Sequence, residues 1–191
     1  PNMAFYEATG EIGLEALRET IRYIYRVAPD VPVILDAKRA DIGNTNTGYV
    51  EMAFEYLGAD AITVHPYLGA EALQPFLDRK YKGIIVLCRT SNPGAGEFQD
   101  LQVEIKGYEL AKKLDISSAI EHYMNGNSSL PTIPLWEYVA HSVAKVWNKN
   151  GNCMLVVGAT YPEELKEVRR IVGDMPILIP GIGAQGGDLE K

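Results

Sequence analysis

The chain has 191 residues, of which 47% are apolar and 23% charged. That is enough apolar material for one globular domain with a sizeable core, and it argues against a disordered chain. The net charge of -7 disfavours a nucleic acid polymer as main partner, and no apolar run approaches the roughly 18 residues of a membrane span.

Taken in chain order, Pro1-Asn2-Met3-Ala4-Phe5 reads as the tail of a strand and a loop. Leu14, Leu17, Ile21 and Ile24 then recur at helical spacing, and Val33 to Leu35 forms a compact apolar strand. Val50, Ala53, Phe54 and Leu57 mark a second helix, Ala61 to Val64 a strand, Leu73, Phe76 and Leu77 a shorter helix, and Gly83 to Leu87 a strand. Residues 116-134 break the rhythm: Asn125-Gly126-Asn127-Ser128-Ser129-Leu130-Pro131 reads as a turn-rich, solvent-facing insertion loop. Val139, Val143 and Val146 resume a helix, with Trp136 and Trp147 supporting its packing. Cys153 to Val157, a helix at Leu165, Val168 and Val172, and a strand at Pro176 to Ile179 follow. Cys88 and Cys153 sit in apolar strand-like runs, so buried thiols in a reducing, cytoplasmic compartment are expected rather than a disulfide.

Near-continuous Ile, Val and Leu suit parallel strands covered on both faces. Their alternation with helices is a βα repeat of the α/β class. No Gly-x-Gly-x-x-Gly opens a first helix, which weakens a dinucleotide fold. The chemistry-bearing residues instead follow several different strands, as in a (β/α)8 TIM barrel. The expectation is a single barrel domain over 1-191, with six of eight strands countable and the first and last missing. Both ends read as cut.

The most informative segment is Asp36-Ala37-Lys38-Arg39-Ala40-Asp41-Ile42-Gly43-Asn44-Thr45, which leaves an apolar strand. Positions two apart on a strand share a face, so Asp36 and Lys38 should point together into the barrel mouth. Asp41, three residues on, is expected to bracket the same ammonium. Two flanking carboxylates keep a lysine protonated, which makes a positioned proton donor and a poor Schiff-base nucleophile. A substrate bringing its own carboxylate against Asp36 would be repelled, and loss of carbon dioxide would relieve that repulsion while Lys38 stabilises and protonates the carbanion. The competing readings are a structural ion-pair cluster and a magnesium or manganese site of Asp36, Asp41 and His65.

Two further stretches point to a ligand. Pro180-Gly181-Ile182-Gly183-Ala184-Gln185-Gly186-Gly187 follows a late strand; its glycines, Gly183 and Gly186 among them, let backbone N–H groups approach a phosphate, and Gln185 adds a neutral donor. Cys88 to Glu97 leaves another strand, with Ser91 and Asn92 as donors to a polar heterocycle and Gly94 and Gly96 permitting closure. Arg89 fits either a phosphate contact or a rim ion pair. His65 reads as a hydrogen-bonded rim residue, and His122 and His141 have no visible catalytic companion.

The charged segment resembles the signature Asp-x-Lys-x-x-Asp-Ile-x-x-Thr of orotidine 5'-phosphate decarboxylases, and the likeness continues through Ser91 and the glycine-rich segment at 180-187, most closely to the longer bacterial-type members. The resemblance implies that Asp36 sits beside the substrate carboxylate and that Lys38 protonates C6 of the pyrimidine. It implies that Asp41 completes the charged array from the neighbouring subunit, with Thr45 reaching across a homodimer to the ribose. Ile42 would line the pocket for carbon dioxide, Ser91 would contact the pyrimidine and Gln185 the phosphate. It implies no metal, no organic cofactor and uridine 5'-monophosphate as product. The family's second lysine would fall just ahead of Pro1, and its first-strand aspartate and last-strand arginine have no counterpart, so a piece of a longer enzyme is expected. The alternatives are a magnesium-dependent phosphosugar decarboxylase, lyase or epimerase of the same barrel group, a non-catalytic uridine-nucleotide-binding protein, and a Schiff-base aldolase using Lys38.

Overall fold

The structure, a computed structural model, describes residues 1-182. The chain packs as two compact units. The first holds Pro1–Leu87 with Asn150–Asn152, and the second holds Cys88–Lys149 and the chain from Cys153 onward.

In the first unit, α1 (Met3–Glu7) and α2 (Gly10–Val27) precede β1 (Ile34–Arg39). Helix α3 (Gly43–Val50) runs on through a wider π-helical turn, Glu51–Tyr56, into β2 (Ala61–Val64), α4 (Gly69–Leu77) and β3 (Gly83–Arg89). The N-terminus is not the strand tail and loop expected from its sequence. Only Asn2 bridges to Asp36 in parallel, and the chain then turns at once into a helix. The cause is local: the Asn2 side chain accepts the Ala4 N–H as an N-cap. Helix α1 lies so close to α2 that a Cβ on Gly13 would fall 1.9 Å from the Tyr6 carbonyl oxygen.

The helical stripes read from sequence face inward. Leu17, Ile21, Ala53, Leu73 and Phe76 are fully buried, as is every residue of β2. Strand β2 pairs in parallel with both β1 and β3, and stays in register with β3 from Ala61↔Gly83 to Val64↔Val86. At the far end of this unit, Asn152 Nδ2 donates to the carbonyls of Leu77, Arg79 and Lys82 and so ties down the turn between α4 and β3.

The second unit contains α5 (Gly96–Gln99), β4 (Gln102–Glu104), α6 (Tyr108–Leu114), α7 (Ser117–Met124) and β5 (Thr132–Pro134). Helix α8 (Leu135–Ser142), extended by a π-helical turn Val143–Trp147, leads to β6 (Cys153–Val157), α9 (Pro162–Val172) and β7 (Ile177–Leu178). Strands β6 and β7 are parallel. Residues 116-134 are not a loop throughout: they carry α7 and β5, and β5 pairs antiparallel with β4. A small core of Ile105, Ala111, Leu114, Ile116, Ala119 and Ile133 supports them. Those apolar residues are scattered over several short elements, so no single window shows a period.

Parallel strands, of which β1, β2, β3 and β6 are each followed by a helix, place the chain in the α/β class as a (β/α)8 TIM barrel, with five parallel strands among the described residues. Among those residues no helix is long and apolar enough to cross a membrane.

Both cysteines are buried and free. Burial pushes the Cys88 thiol up to about 12 and the Cys153 thiol up to about 11. Native protein at pH 8 is therefore expected to resist an aromatic disulfide reagent and to release two equivalents only on unfolding. A thiol that reacts rapidly in the native state would contradict this packing.

Candidate active site

The charged segment begins where β1 loses step with β2. Leu35 pairs with Ile62 and Arg39 with Val64, so three residues, Asp36 to Lys38, stand opposite the single residue Thr63. Lys38 takes up the excess with φ of 49°, in the left-handed region that non-glycine residues seldom enter. Thr63 is 1% exposed. Its hydroxyl accepts the N–H groups of Ala37 at 3.0 Å and Lys38 at 2.9 Å, and donates to Asp36 Oδ1 at 2.9 Å.

This bulge brings the two side chains together. Lys38 Nζ lies 2.6 Å from both carboxylate oxygens of Asp36. Asn2 Nδ2 donates to Asp36 Oδ2 at 2.8 Å, and the Asp36 N–H donates to the Pro1 carbonyl at 2.8 Å. Burial pushes the Asp36 carboxyl upward, but hydrogen bonds from Lys38 and Thr63, the Lys38 charge and the Asn2 amide outweigh it. The net result lies below the usual carboxylate value of 3.8. Asp36 is thus an anion at neutral pH, held on one side by an ammonium that is half exposed.

Asp41 is not part of that pair within one chain. The spacing expectation that it brackets Lys38 fails because the chain turns after β1. Asp41 Oδ1 accepts its neighbour's N–H, from Ile42 at 2.7 Å. The turn is fixed by Asn46, which is fully buried. Asn46 Oδ1 accepts the Asp41 N–H at 2.8 Å, and its amide donates to the carbonyls of Asp41 and Ala72, linking the loop to α4. Ile42 is 62% exposed. Thr45 lines an open cavity of about 480 Å³ beside Met3, Leu14, Tyr49 and the Arg39–Glu7 ion pair. Asp36, Asp41 and His65 do not gather as metal ligands, and among the described residues no three His, Cys, Asp or Glu side chains do.

In the second unit, Ser91 lies on the loop that leaves β3, against β6's outgoing turn. A Cβ on Gly158 would fall 2.8 Å from the Ser91 Cα. Arg89 resolves as an ion pair rather than a free phosphate contact. It is 2% exposed, meets Asp100 at 3.1 Å and Glu164 at 3.9 Å, and stacks 3.9 Å over the Tyr161 ring. Gln99 closes the loop by accepting the Thr90 N–H at 2.9 Å. Gly183, Gln185 and Gly186 lie outside the described residues.

Sequence reasoning missed three members of the site: Asn2, Asn46 and Thr63. A signal existed for Thr63. A hydroxyl inside a short, wholly buried strand must find a partner. Asn46 had a weaker one, since asparagine disfavours helix interiors unless its side chain is bonded.

The model of the orotidine 5'-phosphate decarboxylase / HUMPS family matches residues 1-190. The orotidine 5'-phosphate decarboxylase of Janthinobacterium sp. (strain Marseille) is 47% identical over 191 residues, which is all of this chain and 59% of that protein. That of Halorubrum lacusprofundi is 53% identical over 190 residues, covering 56% of its length. Among solved structures, Leishmania donovani UMP synthase aligns with a TM-score of 0.80 at 41% identity, over 100% of this chain and 36% of that one. Leishmania donovani OMP decarboxylase aligns with a TM-score of 0.76 at 40% identity, over 95% and 61% respectively. The chain therefore spans less than two thirds of the length of these relatives.

The Asn46 amide holds both backbone polar groups of Asp41. Asn46→Ala is expected to destabilise the fold by about 1–3 kcal/mol, because it strands a part-buried N–H and two carbonyls. Urea unfolding of the variant beside wild type measures this, and an unchanged midpoint would show that Asn46 does not hold the loop.

Proposed function

This chain belongs to the orotidine 5'-phosphate decarboxylase / HUMPS family, and from that premise we propose that it decarboxylates orotidine 5'-monophosphate to uridine 5'-monophosphate. The observation that carries this reading is the Asp36–Lys38 pair, an anion and a proton donor 2.6 Å apart where a parallel strand ends. Family membership, the relatives named above and the intact Asp-x-Lys-x-x-Asp-Ile-x-x-Thr pattern from Asp36 to Thr45 support it.

In the proposed reaction the substrate carboxylate sits against Asp36, and like charges at short range raise the energy of the bound ground state. The C6–carboxylate bond breaks, carbon dioxide leaves, and the electron pair stays on C6. The Lys38 ammonium stabilises that developing charge and then gives it a proton, closing a C6–H bond. The neutral amine regains its proton from water. No cofactor or metal takes part in this scheme. Ser91 would contact the pyrimidine, Ile42 would line the pocket that receives carbon dioxide, and Gln185, with the backbone at Gly183 and Gly186, would hold the phosphate.

The site is proposed to be shared between two copies of the chain, with Asp41 and Thr45 reaching the partner's substrate. Asp41 Oδ1 takes the Ile42 N–H while Lys38 pairs with Asp36, which supports this arrangement. The two buried free thiols support a reducing compartment, the cytoplasm.

Lys38→Ala in the full chain is expected to reduce turnover of orotidine 5'-monophosphate by at least about 100-fold while uridine 5'-monophosphate still binds. Equal losses in turnover and binding would remove Lys38 from the proton-donor role. Turnover that stops with chelator and returns with magnesium would favour the phosphosugar-enzyme alternative, and nucleotide binding with no turnover would favour a non-catalytic binding protein.

Mixing Asp36→Ala subunits with Asp41→Ala subunits tests the shared site. Each parent is expected to be inactive, and the hybrid dimer to regain activity at one of its two sites. A mixture as inactive as its parents would place Asp41 in the same site as its own Asp36.

A further inference from the structure

We propose that Thr63 is a positioning residue that sets the geometry of the Asp36–Lys38 pair, its hydroxyl standing in for the ladder that β1 and β2 lose at the bulge. This rests on the reading of Lys38 as proton donor, and it concerns a residue outside the Asp36-to-Thr45 signature.

A hydroxyl has one proton and two acceptor lone pairs. Two N–H groups, from Ala37 and Lys38, already point at Thr63 Oγ1 at 3.0 and 2.9 Å. The proton is left one direction, and in that direction lies Asp36 Oδ1 at 2.9 Å. The hydroxyl is saturated, and its polarity is fixed: it can only donate to the carboxylate.

The same three bonds set the backbone. With Leu35 opposite Ile62 and Arg39 opposite Val64, Ala37 and Lys38 have no carbonyl of β2 in register to receive their N–H groups. Accepting both at one oxygen draws the two amides toward a single point. Lys38 accommodates this with φ of 49°, and from that turn its side chain folds back over Asp36. Ile62 and Val64, the neighbours of Thr63 on β2, point to the opposite face and are fully buried, so they anchor the backbone from which the equally buried Thr63 side chain projects. Valine matches threonine in shape but offers no acceptor and no donor. Serine keeps both.

Three measurements on the full chain test this. In wild type, native-state hydrogen exchange is expected to find the Ala37 and Lys38 amides protected like the core of β2, although they lie at a half-exposed strand end. Thr63→Ser keeps that protection and most of the activity. Thr63→Val loses it, and kcat falls about 100-fold while KM for orotidine 5'-monophosphate stays at the wild-type value. A crystal structure of Thr63→Val is expected to have Lys38 Nζ drawn away from the Asp36 carboxylate.

Rapid exchange of both amides in the wild type would overturn the proposal, even if Thr63→Val does not fold. So would a Thr63→Val protein that keeps the pair and its kcat, or a kcat loss in Thr63→Ser equal to that in Thr63→Val. If wild-type protein leaves orotidine 5'-monophosphate untouched, the proposed function fails; the exchange and crystallographic measurements then still decide whether Thr63 sets the pair.

Discussion

A strand that gains two residues on its neighbour is the constraint on which this site rests. Three residues of β1 face one residue of β2, and a regular ladder cannot serve them. In a buried sheet, every N–H so displaced needs another acceptor. Thr63 supplies one oxygen to two of them. The arrangement turns a flaw in pairing into a device. It lets an aspartate and a lysine two positions apart converge on each other, when a flat strand would only set them side by side.

The device depends on the apolar structure beneath it. Lys38 holds a backbone conformation that costs about 1–3 kcal/mol when forced on a non-glycine residue. Three hydrogen bonds at Thr63, each contributing roughly 0.5–1.5 kcal/mol net, offset a strain of that size. They do so because β2 is buried along its whole length, so water cannot replace the hydroxyl. Asn46 repeats the logic one turn later. It is buried beside Ala72 of α4 and takes both backbone polar groups of Asp41. The charged groups at the surface are therefore aimed by uncharged polar groups that lie beneath them, in the dry layer.

The parallel strands were legible because runs such as Ile84-Ile85-Val86 and Leu155-Val156-Val157 have no solvent face to betray a period. The long helices were legible from stripes such as Leu17 and Ile21. What stayed hidden was decided at a distance. Asn2 caps α1 and also reaches Asp36, thirty-four positions away, and neither partner marks the other in sequence. The pairing of β4 with β5 spans α6 and α7 and draws on six small or medium apolar residues that share no window. At the site, Asp36 and Lys38 could be placed on one face from strand geometry alone. The bulge that makes them touch could not, because it arises from a mismatch with β2 that neither strand carries by itself. In sequence, Arg89 fits a phosphate contact and an ion pair equally well. Its burial under Tyr161, with Asp100 and Glu164 close by, decided for the ion pair.

Ile42 and Thr45 bear on how the proposed site is completed. An isoleucine that is 62% exposed gives up the apolar burial worth about 1.5–3 kcal/mol for such a side chain. Single exposed apolar residues are ordinary. This one adjoins Asp41, whose carboxylate is spent on its own loop, and it is followed by Thr45 at the rim of an open cavity. Asn46, one residue past Thr45 in α3, fixes the Asp41 backbone against α4. In the arrangement proposed above, with a second copy of the chain, all three would share one purpose: Asp41 would gain an ammonium, Ile42 would lose its exposure to water, and Thr45 would meet a ribose.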